Sequence, residues 1–172
     1  MNATMPPLRD EHQELLPHVD QLRQAADRVG YAPIATMRRA VDEAHAFLID
    51  HLLPHAQAED AALYPLVEQV LAAPGATATM RRDHVEVGRL SQELGALRAR
   101  LAQSDPDDDL ARALRRVLYG LHALVTVHFA KEEEVYLPLL DERLAPAQAR
   151  ALYAAMEAAA QRARRQAMAA TP

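Results

Sequence analysis

HFAKEEEVYLP, residues 128–138, is the stretch that decides the fold. His128 and Glu132 stand four residues apart, so on a helix they project from one face, a turn apart. Leu121, Leu124, Val125, Val135 and Leu139 share that face, which makes it the buried one. A buried imidazole and a buried carboxylate need partners, because an unpaired buried charge is very costly. A near copy lies upstream, HAQAEDAALYP at residues 55–65. Both stretches read His-x-x-x-Glu, and in each a proline stands ten positions after the histidine. The doubling predicts a metal site built from two matching halves.

Working outward, the segments ahead of these motifs repeat as well. RDEHQEL at 9–15 aligns with RRDHVEV at 81–87: a basic residue, acids, the histidine, any residue, Glu, then an apolar position. His12 and His84 are 72 positions apart, and His55 and His128 are 73 apart. The chain therefore reads as two helical hairpins, each giving one His from its first helix and one His-x-x-x-Glu from its second. Helix lengths let the layer close. From His84 to Gln103 the third helix climbs about 28 Å, and from Asp107 to His128 the fourth descends about 31 Å. A short loop joins them, so the two histidines return to one level, and the same holds for His12 and His55.

The predicted elements follow from apolar periodicity and turn residues. Residues 1–7 read as a disordered lead. Helices are expected over Leu8–Val29, Ile34–Leu63, Thr77–Gln103 and Asp107–Leu137, with Pro17 and Pro54 as candidate kinks. Pro65 ends the second helix or bends it into a short extra one. A further amphipathic segment runs from Ala147 to about Ala169. The fold class is thus all-α: an up-down antiparallel four-helix bundle over 8–144 with a C-terminal helical extension over 145–172.

Composition agrees. Half the residues are apolar, aromatics are 4% and Gly numbers five, a profile that favours helices over a sheet. There is no cysteine, which excludes disulfides, thiol nucleophiles and thiolate metal sites. A formal charge of -5 argues against nucleic acid as the main partner. No apolar run is long enough to span a bilayer, and the N-terminus lacks the pattern of a signal peptide, so the expected location is cytoplasmic with no membrane partner. Imidazole and carboxylate donors without sulfur suit iron, zinc or manganese.

The pattern H…HxxxE…H…HxxxE, with Tyr-Pro or Tyr-x-Pro after each HxxxE, resembles the hemerythrin-like HHE cation-binding domain family, in its bacterial form, over about residues 8–144. The resemblance implies a non-haem di-iron centre, oxo- or hydroxo-bridged, with His12, His55, Glu59, His84, His128 and Glu132 as iron ligands and the two Glu as bridges. Oxygen-carrying hemerythrins have HxxxH on the third helix and an Asp five residues after the last His. Here Gly88 stands four after His84 and the carboxylate is Glu132, which points away from simple oxygen carriage toward the iron-, oxygen- or stress-linked branch. The implied function is binding or reduction of a small oxidant or diatomic ligand (O2, peroxide or NO), in stress response or in iron and redox sensing.

Around the ligand layer, His18, His51, His122, Glu14, Glu86, Tyr64 and Tyr136 are candidates for supporting positions. His18 and His122 are each about 9 Å above the layer and are expected to face each other across the first and fourth helices. Tyr64 and Tyr136 reach toward the site or serve as packing. Without metal, His55–Glu59 and His128–Glu132 read as two buried salt bridges, and the alternative function is a metal-free or single-metal helical interaction module.

Overall fold

The computed structural model describes residues 6–169, with side chains described from Pro7 to Gln166. Five helical rods make up the described chain. The first, α1, spans Pro6–Arg28. The second, α2, runs unbroken through Ile34–Phe47, Leu48–Leu52, Leu53–Ala58, Glu59–Leu63 and Tyr64–Leu71, every junction residue keeping right-handed helical dihedrals. The third, α3, is Ala78–Gln103. The fourth, α4, runs through Asp108–Lys131, Glu132–Tyr136 and Leu137–Arg143. The last, α5, is Pro146–Ala169.

Helix boundaries follow local chemistry. Pro6 and Pro7 lie inside α1 rather than in a disordered lead, because the first turn of a helix needs no N–H from them; residues 1–5 of that expected lead lie outside the described residues. Pro17 does not break α1. It faces solvent, so the carbonyl it leaves unbonded can take water. Gly30, at φ 85°, turns the chain out of α1 in a left-handed conformation that side chains disfavour. The Asp107 side chain accepts from the Leu110 N–H at 2.7 Å and starts α4.

Pro54, Pro65 and Pro138 do not end the helices. Each is preceded by a π-helical turn: Leu48–Leu52 before Pro54, Glu59–Leu63 before Pro65, and Glu132–Tyr136 before Pro138. A proline removes one i→i−4 bond and collides with the carbonyl it would have bonded. Widening the preceding turn relieves this, and the N–H groups of Leu53, Tyr64 and Leu137 bond five residues back, to the carbonyls of Leu48, Glu59 and Glu132 respectively. The extra residue also shifts the buried face. Val135, expected inside, is 57% exposed, while Leu137 and Leu140 are buried in its stead.

α1 packs on α2 and α4, and α3 packs on α2 and α4, giving a closed ring of four helices. Two apolar clusters fill the interior. Leu15, Leu52, Val87 and Phe129 belong to the larger one; Leu8, Leu63, Met80 and Leu137 belong to the other. On each of these four rods the His and Glu of the motifs fall where one cluster gives way to the other. α5 buries Leu152, Met156 and Ala159 in the second cluster and lies against the part of α2 that carries His55 and Glu59.

Candidate metal centre

Four helices each aim a histidine at Glu59, and two of these histidines, His12 and His128, also meet Glu132. Glu59 is fully buried and Glu132 likewise, as are His12, His55 and His128. Glu59 divides its oxygens. Oε1 lies 3.0 Å from His55 Nε2 and 3.7 Å from His12 Nε2. Oε2 lies 3.2 Å from His84 Nε2 and 3.9 Å from His128 Nε2. Glu132 does the same, with Oε2 3.5 Å from His12 Nε2 and Oε1 3.6 Å from His128 Nε2. Two donor groups result, His12–His55–Glu59–Glu132 and Glu59–His84–His128, sharing Glu59. All six residues of the sequence pattern are in this layer. The two π-helical turns begin at Glu59 and Glu132 themselves, so the prolines set the backbone from which both carboxylates project.

The chemistry of the donor set fits metal ions. His12 Nε2, His55 Nε2, both oxygens of Glu59 and Oε2 of Glu132 are buried without a hydrogen-bond partner. Orphaned polar atoms at this density are costly unless something else satisfies them. Donors 3.0–3.9 Å apart are spaced as neighbouring ligands of one ion held at about 2 Å.

Each imidazole is also gripped from behind. His12 Nδ1 bonds Glu133 at 2.7 Å and His128 Nδ1 bonds Asp83 at 3.1 Å. His55 Nδ1 lies 3.1 Å from Glu11, and His84 Nδ1 lies 3.1 Å from Asp60. A carboxylate behind a ligand histidine fixes its orientation and raises its basicity. Three of these acids meet a cation in turn: Arg9 at 3.4 Å from Glu133, Arg81 at 3.4 Å from Asp60, and Lys131 in close contact with Asp83.

These four outer acids are the residues the sequence reading missed. Their signal was present: each adjoins a residue of the layer, Glu11 and Asp83 just before His12 and His84, Asp60 and Glu133 just after Glu59 and Glu132. Glu14 and Glu86, acids that the sequence offers as salt-bridge partners or supporting acceptors, are turned away from their histidines by two residues of helical rotation. Glu14 is exposed, and Glu86 pairs with Arg89 at 2.6 Å. Tyr136 sends its hydroxyl to the Ala76 carbonyl at 3.4 Å. His18 stacks on Phe47 of α2 and bonds Gln21, so it faces α2 rather than His122; His51 stacks on the same ring. His122 sits on α4 near Asp20.

Tyr64 does reach the centre. Its hydroxyl donates to Glu132 Oε1 at 2.8 Å and lies 3.1 Å from His128 Nε2 and 3.4 Å from His84 Nε2. Burial and the charges of Glu59 and Glu132 push this phenol far above its ordinary range, so it is a neutral donor. The two glutamates differ as well. Burial raises Glu59, yet the His55 charge and the surrounding imidazoles of His12, His128 and His55 outweigh it and hold this carboxyl well below the usual range. Burial and the neighbouring Glu59 charge push Glu132 up to about 7. Burial pulls His84 down, but Asp60 and Glu59 lift it to about 9.

A sequence model of the hemerythrin HHE cation binding domain family matches residues 6–140. Searches of curated proteins and of solved structures gave no match. No helix among the described residues is long and apolar enough to cross a membrane. The matched span covers all six residues of the layer and most of the chain, so this protein belongs to the hemerythrin HHE cation-binding domain family.

Proposed function

For this member of the hemerythrin HHE cation-binding family, we propose a di-iron function: an up-down four-helix bundle whose two iron ions bind or reduce a small oxidant or diatomic ligand, O2, peroxide or NO, in stress response or redox sensing. The observation that carries the reading is the division of Glu59 and Glu132, each offering one oxygen to the His12 side and the other to the His84–His128 side. His12, His55, Glu59 and Glu132 would hold one ion, and Glu59, His84, His128 and Glu132 the other. Two ions clamped by shared carboxylates supply Lewis acidity and redox equivalents to a small ligand.

The chain's own residues define where such a ligand would sit. Glu133, Glu11, Asp60 and Asp83 stand beside the four Nδ1 atoms, with Nε2 facing inward. The Tyr64 hydroxyl stands beside His84 and His128 and donates into Glu132 Oε1. It can redirect that proton to a small anion bound next to it. Phe129, stacked on His12 with ring centroids 4.4 Å apart, closes the opposite side with an apolar ring and keeps water out. A metal-free interaction module would leave the buried atoms of Glu59 and His12 held by charge alone, with no hydrogen-bond partner. Azide titration of the oxidised, iron-loaded protein tests the reading. A saturable change in the visible spectrum is expected; a spectrum unmoved at saturating azide, with both irons present, would mean that the centre takes no small ligand.

A further inference from the structure

The repeat assigns a cation to each of the four outer carboxylates, and one is missing. Arg9 and Arg81 stand three residues before His12 and His84, and they pair with Glu133 and Asp60. Lys131 stands three residues after His128 and pairs with Asp83, the acid behind His128. The matching position three after His55 is Ala58, which is 2% exposed and has no charge to offer. Glu11, the acid behind His55, therefore touches His55 and has no Lys or Arg partner among the described residues.

The space that a lysine would fill is a groove of about 290 Å³ between α1, α2 and α5, lined by Glu11, Ala58, Leu8, Met156, Glu157 and Arg164 among others. Its outer wall belongs to α5, which begins at Pro146, beyond the family match that ends at residue 140. The groove is apolar along Leu8, Ala58 and Met156, and Glu11, whose side chain is 43% exposed, belongs to its lining. Two carboxylates face one guanidinium, so its charge is negative.

We infer that this groove binds a small primary alkylammonium, its ammonium on Glu11 and its aliphatic stem along Ala58 and Met156, in the place that Lys131 occupies in the other half of the repeat. The ammonium completes the fourth acid–cation pair, and the stem is the four-carbon chain that snorkels in a lysine. The inference rests on the repeat and the groove and not on which metal the centre holds.

Calorimetric titration of the full-length protein with n-butylammonium chloride, with n-butanol as the neutral isostere, tests it. One saturable site per chain is expected for the amine, with n-butanol weaker by about fivefold or more, since a charge-assisted bond is lost. Glu11→Gln should weaken the amine by a similar factor and leave n-butanol unchanged. Ala58→Lys should abolish amine binding by supplying the ammonium from within. Arg164→Ala should hold or tighten the affinity, because a competing cation at the mouth is removed. No saturable amine binding to the wild-type chain, equal affinity for n-butanol, or an unchanged affinity in Glu11→Gln would each overturn the assignment, and none of these three readings depends on whether Ala58→Lys folds.

Discussion

Replacing Glu59 by glutamine should cost the metal-free protein far more than the same replacement at Glu132. Glu59 faces the Nε2 atoms of four histidines at 3.0–3.9 Å and is held ionised by them, His55 first. Glu59→Gln keeps the shape but removes the charge that supports the protonated His55, whose own proton is held well above the ordinary range by Glu59 and Glu11 against its burial. Breaking a buried ion pair from one side costs about 3–5 kcal/mol. For a chain of this size that is roughly 6–20 °C in Tm, at about 2–4 °C per kcal/mol. Glu132 titrates at about 7, so near neutrality much of it is already the neutral acid that glutamine imitates. Its replacement should cost no more than about 1 kcal/mol. The sign with pH also differs. A lowered carboxyl stabilises above its unfolded pKa and loses that as pH falls, so the Glu59→Gln penalty should shrink on acidification below the ordinary value of 4.5. A raised one stabilises fully below 4.5 and loses this as pH rises from there through about 7, so the Glu132→Gln difference should shift in favour of the variant across that range and stay level above it. Urea unfolding of the chelated proteins at pH 7 and pH 4 measures both. Equal destabilisation by the two variants at pH 7 would refute the asymmetry between the two carboxylates.

Other outcomes follow from the same geometry. Metal uptake should release protons and strengthen with rising pH, because Glu132, at about 7, and His84, at about 9, must lose theirs to become ligands; titrations in buffers of different ionisation enthalpy measure this, and a pH-independent affinity between 6 and about 9 would contradict it. Tyr64→Phe removes the donor to Glu132 Oε1 and the hydroxyl beside His84 and His128. It should cost about 1–2 kcal/mol in the metal-free chain and lower the azide affinity of the iron-loaded one, because the donor to the bound anion is lost, the first read by urea unfolding and the second by titration. Adding a chelator should lower the Tm of the loaded protein, since a ligand that binds only the folded state stabilises it, by about 2.7 kcal/mol at a hundredfold excess over Kd.

Much of the site was legible because its spacing is helical. His-x-x-x-Glu puts donor and acceptor on one face, and the two histidines ahead of the motifs complete the layer by equal helix lengths. The outer acids were harder to read because helical rotation favours positions three and four away on the same helix, whereas Glu11, Asp60, Asp83 and Glu133 act across to a different helix. The wheel also misplaced Val135, because a proline-driven π-helical turn changes the phase of everything after it. An asymmetry between the halves at the centre itself is written in the sequence. Tyr64 stands nine residues after His55, and nine after His128 is Leu137, so one half brings a hydroxyl to the centre and the other an apolar side chain. A chemically even repeat thus folds into a centre with two unlike sides.

The central claim is that Glu59 and Glu132 join two ions in one centre. Anaerobic titration of ferrous iron into the metal-free chain, followed by elemental analysis after desalting, tests it most directly. The account predicts saturation at two irons per chain, with both lost together in His55→Ala and in His128→Ala because the shared carboxylates couple the positions. Saturation at one iron per chain, or two irons retained in His128→Ala, would contradict it.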